Sequence, residues 1–217
     1  MKILALEFSS PRRSVAVLDG DQILAEQSEA VGESVPPLRL VEQALKAAQV
    51  DRKQIGCVAV GLGPGSYSGI RGAIAVAQGW QLAVGVKVTS ASSVDCIAER
   101  AREEGVLGSV KVVVDAQKSE FYLKSYEISK KEAKKTSELA IITITELKSI
   151  IDSGGVLIGP EITRWHAAGR VVFPTGAVLG RLAALKNEFI AGEQLEPIYL
   201  RQTTFVKAAP ARILPSL

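Results

Sequence analysis

The run richest in residues suited to chemistry is Gly61-Leu62-Gly63-Pro64-Gly65-Ser66-Tyr67-Ser68-Gly69. Glycine admits positive φ and the close approach of another backbone. Pro64 stiffens the turn, and Ser66 or Ser68 can cap a helix beginning near Gly69. An exposed helix start presents N–H groups to an anion such as phosphate. The same small residues equally suit a strand-to-helix turn packed against another element, a partner protein included. The run is not a P-loop, because no Gly-Lys-Ser/Thr follows. Nor is it a nucleophile elbow, because Tyr67 stands where Gly-x-Ser-x-Gly needs serine. Glu7 closes the first apolar strand beside Ser9 and Ser10. An acid there could position a metal-bound nucleotide phosphate, or could simply be a solvated strand end. Asp115 holds the matching place after Val112-Val113-Val114, where an Asx-type bond to Gln117 or Lys118 is its simplest use.

Metal and nucleophile chemistry have little to draw on. His166 is the one histidine, and Cys57 and Cys96 are far apart in sequence. Zinc sites normally gather several such ligands. His166 therefore reads as a solvated or locally bonded imidazole, and the cysteines as buried thiols. An acid-only magnesium site and a Ser/His/acid triad stay open, though nothing orients either. Lys130, Lys131, Lys134 and Lys135 form a basic cluster diluted by Glu127 and Glu132. It reads as a solvated loop, with weak RNA steering as its other use.

The elements that must position these residues follow from apolar spacing and turn signals. Ile3–Leu6, Ser14–Leu18 and Gln22–Ala30 read as a three-stranded meander, with Asp19-Gly20 as a hairpin turn. A helix starts near Ser34–Pro37, with Leu38, Val41, Leu45 and Ala48 at helical spacing. Ile55–Val60 is a strand, and Ile70, Ala73, Ile74, Ala77 and Gln81 mark a small-residue helix. Val84–Val88 is a short strand, after which Thr89 or Ser90 caps a helix ending at Gly105. The second half repeats the order. Val110–Val114, Phe121–Ile128 and Leu139–Ile144 are strands, and Thr145 caps a short helix. Gly155–Ile158 is a strand, Ile162–Ala168 a weak helix and Val171–Phe173 a strand. A final helix follows from Leu179 to Phe189, and Pro197–Arg201 is extended. The repeated order predicts an α/β protein of two tandem actin-like, or ribonuclease-H-like, lobes, each a mixed five-stranded sheet flanked by helices. The expected lobes are 1–105 and 106–217; a single Rossmann-like domain is the competing reading.

Composition narrows the classes further. At 217 residues, 47% of them hydrophobic and 23% charged, the chain can furnish a core and is not globally disordered. Two cysteines exclude a disulfide scaffold. A net charge of +3 is too small to imply a nucleic-acid-binding face. The N-terminal apolar run is too short for a signal peptide and no stretch suits a membrane span, so the expected location is the cytoplasm.

Several of these pieces together resemble the TsaB (YeaZ) family. Ile3-Leu4-Ala5-Leu6-Glu7-Phe8-Ser9-Ser10 is similar to the family's ILAIDTS start, and Gly63 to Arg71 to its GPGSFTGLR signature. Asp115 to Tyr122 resembles DARRGEVY, and Pro197-Ile198-Tyr199-Leu200-Arg201 the C-terminal P-x-YLR. The resemblance is collinear over about residues 1–201. It implies two actin-like lobes, shared ancestry with TsaD and the glycopeptidase-like proteins, and no catalytic residues or metal ligands. The implied role is a non-catalytic scaffold and activator in threonylcarbamoyl transfer to adenine 37 of tRNA. The implied partners are a TsaD-like catalytic subunit, a TsaE-like ATPase and, in isolation, a second copy of the chain. No cofactor is implied for the chain itself; ATP, magnesium and metal would sit on the partner subunits, and tRNA would be contacted mainly through the complex.

Carried onto this chain, the partner interface would use Val35, Leu38, Val41 and Leu45 of one helix and Gly69, Gly72, Ala73, Val76 and Trp80 of the next. The glycine turn of Gly61, Gly63, Pro64, Gly65, Ser66 and Gly69 would serve packing, with Arg71 anchoring it or reaching the partner. Glu7, Ser9 and Ser10 are the candidates for a weak nucleotide or phosphate contact. The chain departs from the family pattern in having Glu7 in place of Asp, in Arg12 and Arg13, and in lacking Asn-His-Ser before the first helix. These departures speak against nucleotide binding at the hairpin. The rival readings are a stand-alone actin-like ATPase or metallopeptidase, and a homodimeric binding protein of unrelated role.

Overall fold

The computed structural model describes residues 1–33, 35–186 and 188–200. The chain opens with an antiparallel meander of β1 (Lys2–Glu7), β2 (Ser14–Asp19) and β3 (Gln22–Ser28). Gly20, at φ 61°, makes the tight turn expected at Asp19-Gly20. Then come α1 (Pro37–Ala48), β4 (Ile55–Gly61), α2 (Tyr67–Val84), β5 (Lys87–Ala91) and α3 (Ser93–Glu103). The sheet order is β3-β2-β1-β4-β5, with β1, β4 and β5 parallel. Both faces of β1 are covered, which is why it reads as an unbroken apolar run rather than an alternation. Leu4 and Leu6 face α1 and α2, while Ile3 and Ala5 face the other way.

The second half is built on the same plan. It contains β6 (Gly108–Asp115), β7 (Glu120–Ile128), β8 (Ala133–Lys135), β9 (Ala140–Thr143), α4 (Ile144–Asp152), β10 (Val156–Gly159), β11 (Arg170–Val171) and α5 (Gly176–Ala184). Its order, β11-β10-β6-β7-β8, mirrors the first sheet, and β9 pairs with β7 as a sixth strand where five were expected. The lysine cluster is therefore not wholly loop. Lys134 and Lys135 sit in the edge strand β8, and charged edges are a common guard against strand addition. Lys135 Nζ reaches Asp95 on α3 at 2.8 Å.

The helices that end the two halves are exchanged between the sheets. Val94, Ile97, Ala98 and Ala101 of α3 pack on Val110, Val112 and Tyr126 of the second sheet. Ala177, Val178, Leu179 and Ala183 of α5 pack on Ile3, Ala5, Ala16 and Leu18 of the first. Gly176 and Gly180 permit that approach: a Cβ at Gly176 would lie 2.8 Å from the Ala16 nitrogen, and one at Gly180 would overlap Leu18. The chain then crosses back beside the first sheet, where Ile190 N–H donates to Val88 O at 2.9 Å and Ile198 N–H to Leu62 O at 2.8 Å.

Several boundaries differ from the sequence reading. Thr89 and Ser90 lie inside β5, and Ser92 precedes α3 instead. Val84 ends α2 rather than starting a strand. Thr143, not Thr145, caps α4 through a reciprocal bond with Glu146. The Ile162–Ala168 helix is only a 3-10 turn, Ile162–Arg164, and α5 stops before Leu185 and Phe189. Ser34, expected in the approach to α1, and Arg201 of the C-terminal Tyr-Leu-Arg lie outside the described residues.

Candidate functional site

Glu7 is fully buried and braces the glycine turn. Its Oε1 accepts the Ser9 N–H and its Oε2 the Ser93 hydroxyl, both at 2.9 Å. Ser93 Oγ in turn accepts the Gly63 N–H at 3.1 Å, and Ser93 N–H donates to Gly63 O at 2.7 Å. Burial pushes the Glu7 carboxyl above the usual carboxylate range, against hydrogen bonds from Ser9 and Ser93 that pull it back. A Cβ on Gly61 would overlap the Glu7 carboxylate, so Gly61 is required by that packing. Glu7 is thus an internal crosslink between β1, the glycine turn and α3, not a solvated strand end.

The turn itself closes on the first hairpin. Gly65, at φ 151°, and Gly69 let backbone approach the carbonyls of Ser9 and Phe8, and Ser66 N–H donates to Ser9 O at 2.7 Å. The Ser66 hydroxyl accepts the Gly69 N–H at 3.3 Å, so Ser66 is the cap of the two that the sequence offers, and α2 starts at Tyr67 rather than near Gly69. Two of the helix-start donors therefore bond within the chain. Ser9 and Ser10 are almost fully buried, and the Ser10 hydroxyl donates to Arg12 O at 3.0 Å. Arg13 pairs with the Glu29 carboxylate through two nitrogens, while Arg12 lies 5.9 Å from the Phe173 ring. Arg71 Nη1 donates to the Tyr67 hydroxyl at 3.3 Å and its guanidinium lies over the Tyr67 ring at 5.4 Å, while Tyr67 meets Tyr199 at 6.0 Å.

Between the two sheets lies a cleft of about 380 Å³, lined by Ser9, Ser10, Gly65, Tyr67, Asp115 and Tyr199 among others. Asp115 Oδ1 accepts the Gln117 N–H at 2.7 Å, the Asx-type bond expected there. No group of three or more His, Cys, Asp and Glu side chains that could hold a metal ion is found among the described residues. His166 lies just past the 3-10 turn, its carbonyl accepting the Gly169 N–H at 2.8 Å. Cys57 and Cys96 are buried, and burial pushes the Cys57 thiol up to about 11.

A second concavity, of about 560 Å³, lies on the outer face of α1 and α2. Leu38, Arg52, Lys53, Val76, Gly79 and Trp80 contribute to its lining. Leu38 is 65% exposed, and Val35, Leu45, Val76 and Trp80 are half-buried. Gly72 faces open space. Val41 and Ala73 belong elsewhere: they are 3% and 0% exposed and point into the core, so they cannot touch a partner. Leu82, 91% exposed, and Val84, 57% exposed, extend the apolar surface along α2. Sequence reasoning missed both because α2 runs about two turns further than its buried stripe, which ends at Ala77.

The fold is that of a known class. Residues 33–201 match the family model TsaD, tRNA N6-adenosine threonylcarbamoyltransferase, and the chain belongs to that family, with its two-lobed, actin-like architecture. Within it the chain falls with the TsaB (YeaZ) proteins. It is 24% identical over 230 residues to the tRNA threonylcarbamoyladenosine biosynthesis protein TsaB of Escherichia coli, covering 98% of this chain and 100% of that protein. The TsaB of Haemophilus influenzae is also 24% identical, with 98% of each chain covered. A solved Pseudomonas aeruginosa structure, described as similar to the peptidase YeaZ, superimposes with a TM-score of 0.78 at 25% identity. It covers 92% of this chain and 99% of that one.

Proposed function

We propose that this chain is a non-catalytic scaffold and activator subunit for threonylcarbamoyl transfer to tRNA. It docks through the α1/α2 face on a TsaD-like catalytic subunit, with a TsaE-like ATPase as a further component of the assembly. The partner subunits hold ATP, magnesium and metal, and tRNA is contacted mainly through the complex. A boundary near residue 105 divides the two sheets, but α5 completes the partner-binding lobe built on the first sheet and α3 completes the second lobe; in isolation the same face pairs with a second copy. The assembly works in the cytoplasm, and no helix among the described residues is long and apolar enough to cross a membrane.

The observation that carries this reading is the exposed apolar groove. Leu38 and Val84 place large aliphatic side chains in solvent beside the half-buried Trp80, on helices otherwise well packed underneath. Contiguous apolar surface of this kind is kept where another protein covers it. The inward-directed bonding of Glu7, Ser9 and the Ser66 cap supports the same reading, because these groups are spent on holding the turn. The test is tRNA modification in vitro, reconstituted from purified TsaD-like and TsaE-like subunits with and without this chain. Omission should abolish or sharply reduce threonylcarbamoyladenosine formation; undiminished modification overturns the proposal.

A further inference from the structure

The groove between α1 and α2 is apolar at its floor and cationic at its edge. Arg52 and Lys53, in the short 3-10 turn Arg52–Gln54, line it, and no acidic residue does. The 18 residues of α2 contain no Asp or Glu. Of the exposed basic residues between Pro37 and Val84, Arg39 lines a separate concavity with Glu29 and Glu33, and Arg71 lies over Tyr67, so Arg52 and Lys53 are the charges that the groove itself carries. The Asp51 carboxylate is already engaged, accepting the Lys53 N–H at 2.8 Å as a cap.

We infer that this face selects its occupant by charge. It fits an apolar helix flanked by Asp or Glu side chains on a TsaD-like subunit, and it holds that partner more tightly than a second copy of itself. This rests on the docking reading above and adds the chemistry of the partner. An isologous pair sets the same patch against itself, so the surplus positive charge of each copy meets that of the other. A partner with an acidic flank turns the same charges into attraction and speeds encounter. The two assemblies therefore respond oppositely to salt, which screens exposed charges over about 10 Å at 0.1 M.

The experiment compares both equilibria using the full chain and the TsaD-like subunit of the same genome. Calorimetry gives the hetero-complex Kd, and sedimentation equilibrium the self-association Kd, at 50 and 500 mM NaCl. The hetero-complex Kd should rise about tenfold between those salts while the self-association Kd falls. Combined Arg52→Glu and Lys53→Glu changes lie on an exposed turn, and an unchanged thermal midpoint verifies the fold. At low salt they should weaken the hetero-complex about 30-fold, mainly through slower association. The conservative pair Arg52→Lys and Lys53→Arg should restore binding. An equimolar mixture of wild-type and charge-reversed chains should pair more tightly than either alone. If neither salt nor charge reversal shifts the hetero-complex while Leu38→Arg dissociates it, charge selection is overturned and the docking reading survives. If no complex with the TsaD-like subunit forms at any salt, the docking reading fails and this inference falls with it.

Discussion

Replacing Glu7 by glutamine separates the carboxyl's shape from its charge. Glu7 is 0% exposed and receives two hydrogen bonds of 2.9 Å, from Ser9 N–H and the Ser93 hydroxyl. Burial raises its folded-state pKa above the ordinary 4.5, so between those two values the folded chain keeps a proton that the unfolded chain has released. Stability then falls as pH rises through that window, by about 1.4 kcal/mol per pH unit, and is flat above it. The glutamine amide can donate to Ser93 Oγ while its carbonyl still accepts from Ser9. It should remove this slope, leaving the variant close to wild type near pH 4.5 and more stable at pH 8. Glu7→Ala should instead orphan both donors, at about 1–3 kcal/mol each, and leave a cavity. Its cost should be about 3–5 kcal/mol near pH 4.5 and shrink as pH rises through that window, where the wild type alone loses stability. Urea unfolding followed by tryptophan fluorescence from pH 4.5 to 8.5 reads all three curves. A Glu7→Gln variant that keeps the wild-type slope, or one as damaging as Glu7→Ala, refutes the account of a buried crosslink whose carboxyl is pushed up by burial.

Three further expectations follow from other contacts. Gly61→Ala puts a methyl into the space of the Glu7 carboxylate and should cost about 2–3 kcal/mol. Combined with Glu7→Ala it should cost less than the sum, which a double-mutant cycle of melting curves would show. Asp95 accepts from the Tyr126 hydroxyl at 2.6 Å and pairs with Lys124 at 3.2 Å and Lys135 at 2.8 Å. Burial acts to raise its carboxyl, but these partners outweigh it and hold the pKa below 3.8. Its stabilisation is therefore present above pH 3.8 and lost as pH falls through the folded value. Asp95→Asn should cost about 1–3 kcal/mol at pH 7 and blunt that acid dependence, as measured by unfolding between pH 2 and 7. Leu38→Arg changes a side chain that is 65% exposed, so the melting temperature should hold while the Kd for the TsaD-like subunit rises about 100-fold. Unchanged binding by calorimetry would remove the α1/α2 face from consideration.

The elements that could be read from the sequence are those whose signal is local. Gly20 at a two-residue turn, the periodic Leu38 to Ala48 stripe and the doubled order of strands all depend on neighbours within a few residues. What escaped depends on distant ones. Glu7 looks solvent-ready because its partner Ser93 lies 86 positions away, and only the fold shows a carboxylate against Gly61. Val41 and Ala73 share a helical period with the exposed residues, but the rotation of each helix on the sheet sends them inward. Lys134 and Lys135 have the composition of a loop, and pairing with β7 and Asp95 makes a strand of them. The packing role of the glycine turn was legible as one of two alternatives. The carbonyls of Phe8 and Ser9 that fill it come from a hairpin about sixty residues earlier in the sequence.

The exchange of terminal helices also sets a timetable for synthesis. Gly176 N–H, at the start of α5, donates to the hydroxyl of Ser14, 162 positions earlier. At about 5–20 residues per second, translation needs roughly 10–30 s to supply the helix that covers one face of β1 and β2. During that time Ile3, Ala5, Ala16 and Leu18 have no native cover, although α1 and α2 can already pack on the opposite face. The nascent first half is therefore an adhesive intermediate, and a chain truncated before residue 176 should depend on chaperones and aggregate when released.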